Sequence, residues 1–403
     1  MAGIVAIGGG QASFSFIQKL KALGYSGEIT LICGEKAIPY QRPPLSKKFL
    51  LGNMTKEQLF FRPESYYRDN NINLIIGKQV VKVNTNKKSI ELEDGFNLPY
   101  DKLFFGTGAS PRKFSDEMVN KTKSIYYIRS IKDIESVSKH FVSNRSLVII
   151  GGGYIGLEVA AVARKLGLKV TIFEVQERIL KRVASNKVAD YFRDLHTKNG
   201  INIKENVSVE RFVFEGNNLK AVFTDQGENI SSDFVVAGIG IEPNVCLAKN
   251  AGLLVQNGIL VDSSCRTSDP NIFAAGDCAN FPYKGQRIRL ESVGNAIEQS
   301  EVAAETILGR VSIYEALPWF WSDQFNTKLQ IAGLNFGYTD VVERINGEKI
   351  SFWYFKEGNL LSVDAINDPI SFMVGKKLIE MKKVIDPRDL RSENFNLKGL
   401  LRG

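Results

Sequence analysis

Residues 3–13 read GIVAIGGGQAS, and residues 146–156 read SLVIIGGGYIG. A shift of 143 places lays Gly8 on Gly151, Gly10 on Gly153 and Ser13 on Gly156. Each copy is a short apolar run, a glycine turn and then a helical pattern. Phe16, Ile17, Leu20 and Leu23 recur at helical spacing after the first, and 157–166 follows the second. That context gives the pattern its physical meaning. The first glycine makes the tight turn, the second lets the backbone approach a pyrophosphate, and a small third residue lets helix and strand pack closely. The helix N-terminus then faces the anion. The second copy fits G-x-G-x-x-G in full; the first carries Ser13 at its third position. Two such starts predict an α/β chain with two dinucleotide sites. Gly8, Gly10, Gln11, Ala12 and Ser13 line one, and Gly151, Gly153, Tyr154, Ile155 and Gly156 the other.

A dinucleotide site of this kind needs an acidic residue about 20 positions on, where a strand end meets the ribose hydroxyls. The strand-like run 169–173 ends in Glu174, whose carboxylate suits an unphosphorylated ribose and repels a 2′-phosphate. Val175 and Gln176 supply no compensating cation, which favours NADH over NADPH, while Arg178 lies close enough to leave NADPH open. After the first copy the run 29–33 is followed by Gly34 and Glu35, so Glu35 is the ribose candidate there, with Gly34 at the usual acidic place.

The remaining composition excludes more than it identifies. The chain has 403 residues, 44% hydrophobic and 24% charged, as expected for two to three globular domains. Its longest apolar stretch, 234–241 (FVVAGIGI), is too short to cross a bilayer, and the start lacks the cationic opening of a secretory signal, so a cytoplasmic location is expected. Four cysteines without a C-x-x-C pair and two histidines argue against zinc, an iron–sulfur cluster and a disulfide scaffold. The net charge is +8, and half of the excess falls in 371–403, where eight Lys/Arg face four Asp/Glu. A basic chain prefers acidic partners, yet no run of five like charges and no aromatic–basic stripe marks a nucleic-acid or membrane surface. Two dinucleotide sites without a Ser/His/Asp or Cys/His set suggest electron transfer between cofactors, NADH on the second site and a flavin on the first.

With those features in place, the chain resembles the FAD- and NADH-dependent ferredoxin reductases of the putidaredoxin reductase type. Its motifs are PYQRPPLSK at 39–47, GTGA at 106–109, YIRS at 127–130, GGGYIGLEVA at 151–160 and AGIGIEPN at 237–244. TSDPNIFAAGDC at 267–278, ESVGNAIEQ at 291–299 and PWFWSDQ at 318–324 complete the series, in order. The resemblance implies two Rossmann-like dinucleotide-binding domains plus an α+β C-terminal domain. The FAD-binding domain would be discontinuous, 1–115 and 242–312, with the NADH-binding domain at 116–241 and the C-terminal domain at 313–403. It also implies that Asp277 meets the ribityl hydroxyls of FAD, and that Thr107 and Gly108 let the backbone pass close to it. Arg129, with Arg42 of the 39–47 motif, would face its phosphates. Val80 and Val293 would be backbone contacts, although bare valines otherwise read as core, and Gly240 would line the NADH side. Lys47 would sit beside the flavin ring and pair with Glu158, and Trp321 would cover the ring face opposite the nicotinamide.

The implied activity passes electrons from NADH through FAD to a small [2Fe–2S] ferredoxin serving an oxygenase, a haem monooxygenase first among them. The missing C-x-x-C and C-x-x-x-x-C motifs exclude transfer to a protein disulfide. Two other classes fit the same cofactors: an NADH oxidase or quinone reductase, and a redox-sensing binding protein resembling apoptosis-inducing factor. Local patterns further predict a hairpin from 80–83 and 89–92. Within the C-terminal domain they predict strands at 329–334, 350–356 and 360–366, then a helix over 370–385 stopped by Pro387.

Overall fold

The computed structural model describes residues 3–119, 124–315, 317–391 and 396–401. Two five-stranded parallel sheets carry the two glycine turns. The first runs in the order Ile272–Ala274, Lys102–Phe105, Ile4–Ile7, Ile29–Cys33, Ile72–Ile76. The second runs Asn202–Glu205, Lys169–Glu174, Ser146–Ile150, Phe234–Ala237, Ile125–Tyr126. In each, the strand that enters the glycine turn is central, and Ile4–Ile7 in the first and residues 147–150 in the second are apolar and buried. Helices Gln11–Ala22 and Val293–Ile307 pack side by side on the first sheet, where Phe16 stacks on Phe104 with ring centroids 4.1 Å apart.

The chain passes between the two sheets through an antiparallel ribbon, Ala109–Pro111 against Ile241–Pro243. Asn244 locks that crossing: it exchanges bonds with Thr107 in both directions, each 2.8 Å, and its own N–H donates to Gly108 O.

The third unit is a five-stranded antiparallel sheet in the order Trp319–Gln324, Thr327–Gly333, Asn359–Ile366, Lys349–Lys356, Asp340–Asn346. Period-two alternation sends its two faces to different partners. Trp353, Phe355 and Val363 pack under helix Pro369–Glu380, whereas Phe352, Tyr354 and Leu329 join the core of the second parallel sheet. The C-terminal unit is thereby built onto the second parallel-sheet unit rather than hung beside it.

Local expectations meet this structure with three differences. The expected hairpin is the three-stranded sheet Val80–Asn84, Ser89–Leu92, Asn97–Pro99. Two strands, Trp319–Gln324 and Asp340–Asn346, join the three expected in the C-terminal sheet. The last helix ends at Glu380, because Lys382 turns into the left-handed region at φ 50°, well before Pro387.

Candidate functional site

The two glycine turns are superposable in their constraints. Gly8 has φ +114° and Gly151 φ +106°, and an added Cβ would stand 2.2 Å from Gly106 O in one and 2.4 Å from Gly238 O in the other. No other residue fits either place. Two positions on, Gly10 and Gly153 are the N-caps of helices Gln11–Ala22 and Tyr154–Lys165, and neither helix has a side-chain cap. An added Cβ at Gly10 or Gly153 would meet nothing within 4 Å. Open space at an uncapped helix start is what a pyrophosphate requires. At the third position Gly156 presses on Gly151 O, where a Cβ would stand at 2.2 Å. Ser13 takes the equivalent place because Gly106 gives way opposite it, and its buried Oγ has no partner among the described residues.

Around the first turn the expected residues converge. Ala12 is buried against Gly276, which places the helix start beside Asp277 in the turn Gly276–Cys278. Gln11 donates to Ser15 Oγ at 2.9 Å. Asp277 Oδ2 accepts Arg129 Nη2 at 3.1 Å, so it acts as an ion-pair partner and not as a helix cap. Arg42 donates to Arg129 O at 2.6 Å and to Glu35 Oε1 at 2.6 Å, and Tyr40 Oη donates to Glu35 Oε2 at 2.6 Å. Burial together with the Arg42 charge lowers the Arg129 pKa from its ordinary value. The two guanidinium groups are each paired with one carboxylate, and their remaining N–H donors are of the kind that binds a diphosphate, so the residues fit FAD. Glu35 is held by Arg42 and Tyr40, so it positions the Arg42 guanidinium. Gly108, at φ +64°, brings the backbone to within reach of Arg129. Val80 is buried and paired with Leu92, and Val293 opens its helix after the Ser292 cap.

The second turn fits a nicotinamide dinucleotide. Glu174 Oε2 accepts Gly152 N at 2.7 Å and Oε1 accepts Gln176 N at 2.8 Å, which fixes the carboxylate at the mouth of the turn. Arg178 faces the other way: its guanidinium donates to the carbonyls of Ile179, Lys181 and Ala184. No cation from Arg178 is thus directed at a 2′-phosphate. Ile155 and Val175 flank the turn and are 46% and 62% exposed, apolar surface of the sort a nucleotide covers. Tyr154 offers its backbone there, since its ring is buried against Phe320 with centroids 4.6 Å apart. Gly240, at φ +107°, sits where the chain turns back into the ribbon.

Lys47 and Glu158 meet where the 43–46 turn packs on the helix of the second glycine turn. Lys47 Nζ lies 2.7 Å from Glu158 Oε2, and the side chains are 16% and 4% exposed. Pro43 and Pro44 start the short helix Pro43–Ser46 that delivers Lys47, and the glycine helix delivers Glu158. Two serines that the sequence reading does not single out complete the carboxylate's shell. Ser46 Oγ donates to Oε2 and Ser322 Oγ to Oε1, both at 2.6 Å. Trp321, next to Ser322, is half-buried and stacks on Trp319 at 5.6 Å and 21°. Burial pushes the Glu298 carboxyl up, and the Trp319 side chain beside it opposes that shift. The signal for the serines is adjacency: each stands beside a residue that the motifs 39–47 and 318–324 already mark.

These features define a flavoprotein oxidoreductase with two dinucleotide sites, and the family follows from comparison. Residues 2–305 match the family described as pyridine nucleotide-disulphide oxidoreductase, and residues 319–401 match the reductase C-terminal family. The chain belongs to the pyridine nucleotide-disulphide oxidoreductases and carries their reductase C-terminal domain. It is 39% identical over 399 residues to rhodocoxin reductase of Rhodococcus erythropolis, covering 98% of this chain and 93% of that protein. It is 37% identical to putidaredoxin reductase of Pseudomonas putida, covering 99% and 96%. Among solved structures, a covalent putidaredoxin reductase–putidaredoxin complex matches with a TM-score of 0.96 at 36% identity, covering 99% of this chain and 98% of that one.

Proposed function

We propose that this chain is the reductase of an oxygenase system, passing electrons from NADH through FAD to a small [2Fe–2S] ferredoxin that serves a haem monooxygenase. The observation that carries the reading is the largely buried Lys47–Glu158 pair at the helix of the second glycine turn, in a chain with two uncapped glycine turns. All four cysteines are free, and Cys33, Cys265 and Cys278 are buried singly, so no protein disulfide competes as acceptor. Rhodocoxin reductase and putidaredoxin reductase are reductases named for such carriers, and one solved relative is joined to putidaredoxin itself. The division of labour that goes with this reading is 1–115 with 242–312 for FAD, 116–241 for NADH, and 313–403 for covering the flavin. A cytoplasmic site of action goes with it, and among the described residues no helix is long and apolar enough to cross a membrane.

The chemistry supplied by the bound cofactors is hydride transfer from NADH to FAD and one-electron release to the ferredoxin. The chain's own residues bind and align. The helix starts at Gly10 and Gly153 hold the pyrophosphates, Arg42 and Arg129 neutralise the first of them, and Glu174 holds the NADH ribose. Lys47 would place a cation beside a bound flavin, with Glu158 fixing the ammonium and helping to seat the nicotinamide. Trp321 would cover the flavin ring.

The deciding experiment is NADH-driven cytochrome c reduction by the purified yellow protein, with and without a [2Fe–2S] ferredoxin from the same source. Turnover that depends on the ferredoxin is the expected result. Equally fast turnover without it would replace this reading with an oxidase or quinone reductase.

A further inference from the structure

Beyond the Lys47–Glu158 pair runs a line of buried hydrogen bonds that spans two units of the chain. Ser322 Oγ, which donates to Glu158 Oε1, accepts Gln324 Nε2 at 3.1 Å. Gln324 Oε1 lies 2.7 Å from His196 Nε2. Ser322, Gln324 and His196 are each 0% exposed. The C-terminal sheet supplies Ser322 and Gln324 from the strand Trp319–Gln324, and helix Asn186–Lys198 of the second unit supplies His196.

The chemistry of these groups fixes the direction of every bond. A carboxamide oxygen only accepts, so His196 carries its proton on Nε2 and donates to Gln324. The amide nitrogen only donates, so Gln324 gives to Ser322, which is left with its one hydrogen for Glu158. Burial lowers the His196 pKa to about 4, and its Nδ1 has no partner among the described residues, so the ring stays neutral. A neutral His196 with a free Nδ1 lone pair is the tautomer this chain of donors needs. Each member is thereby a donor toward Glu158, and the carboxylate receives Ser322 on one oxygen and Lys47 with Ser46 on the other.

We infer that Gln324 and His196 are positioning residues for hydride transfer, holding Glu158 through Ser322 so that the Lys47 ammonium keeps one place. The inference rests on the reading of Lys47 and Glu158 as the pair beside the flavin. Without the line, Ser322 can turn its hydrogen elsewhere, and Oε1 loses the bond that stops the carboxylate rotating about its last torsion. Small misplacements at a hydride-transfer site are costly in rate and nearly silent in binding.

Stopped-flow reduction of the bound FAD by NADH, followed as flavin bleaching, separates the possibilities. His196→Leu and Gln324→Leu are expected to lower the limiting reduction rate on the order of tenfold while the half-saturating NADH concentration stays within about twofold. His196→Gln, which puts an amide N–H where the ring N–H was, is expected to restore most of that rate. Gln324→Glu is expected to add a pH dependence that the parent lacks, the rate falling as pH rises, because only the protonated carboxyl can donate to Ser322. Glu158→Gln, run alongside, reports on the pair itself. Slow Glu158→Gln beside parental rates in the His196 and Gln324 variants would overturn the positioning role alone. Parental reduction by Glu158→Gln would overturn the role of the pair and this inference with it. Where a leucine variant loses its FAD, the polar His196→Gln and Gln324→Glu variants decide.

Discussion

Asp364 is a buried carboxyl bonded by a tyrosine. The Tyr354 hydroxyl donates to it at 2.8 Å and lies 2.7 Å from Ser185 Oγ, joining the C-terminal sheet to the second nucleotide-binding unit. Loss of hydration pushes the Asp364 carboxyl up from 3.8 to about 7. A carboxyl whose folded pKa is raised binds its proton more tightly in the native state than in the unfolded chain. Stability is therefore lost as pH rises from about 4 to about 7, by up to about 1.4 kcal/mol per pH unit, and the loss is complete above that window. Asp364→Asn keeps the shape and cannot ionise, so it is expected to gain melting temperature over the parent at pH 8 and to gain little or nothing at pH 5. An equal shift at both pH values would show that the carboxyl does not titrate as a buried acid. Such a residue is invisible in the sequence, where an Asp between Val363 and Ala365 carries no signature. His196 and Gln324 are equally silent, being polar groups 128 positions apart with no spacing rule to join them. Gly8, Gly151 and Glu174 are legible because their chemistry is local: a turn, and the strand that follows it.

At the scale of the element, the two strand–glycine–helix units are the most legible part of the chain, and they carry separable functions. Each needs a backbone at φ beyond +100°, where a side chain adds strain of about 1–3 kcal/mol and a clash with a facing carbonyl. Gly8→Ala is expected to yield a folded protein depleted in FAD, read from its absorbance at 450 nm relative to 280 nm. Gly151→Ala is expected to stay yellow and to require on the order of tenfold more NADH for half-maximal reduction. A Gly151→Ala protein that loses flavin while Gly8→Ala keeps it would reverse the assignment of the two sites. The strand Trp319–Gln324 shows why other elements are harder to read. Its buried positions are Ser322 and Gln324 and its apolar residues are half-exposed, so the usual alternation of apolar-in and polar-out is inverted. Chemistry at the site, and not core packing, chose those residues, and a pattern search for hydrophobic periodicity misses them.

For the molecule as a whole, the cluster around Glu158 is an assembly of all three units: Lys47 comes from the first, Glu158 from the second and Ser322 from the third. None of the units holds the arrangement alone, which explains why the C-terminal sheet shares a core with the second one. The same three-part body carries a net charge of +8, with half of the excess in 371–403. A field of that sign would draw in an acidic ferredoxin from a distance and is expected to affect the largely buried Lys47–Glu158 pair far less. The two steps should accordingly respond differently to salt. Between about 0.1 M and about 1 M, the Debye length contracts from about 10 Å to about 3 Å. The kcat/KM for the ferredoxin is expected to fall on the order of tenfold over that range, while the limiting rate of flavin reduction by saturating NADH stays nearly constant. Steady-state assays over a ferredoxin titration, paired with stopped-flow reduction in the same buffers, measure both. A ferredoxin kcat/KM that ignores salt would mean that docking is governed by contact shape, and a parallel fall in both rates would place the salt effect on the folded protein itself.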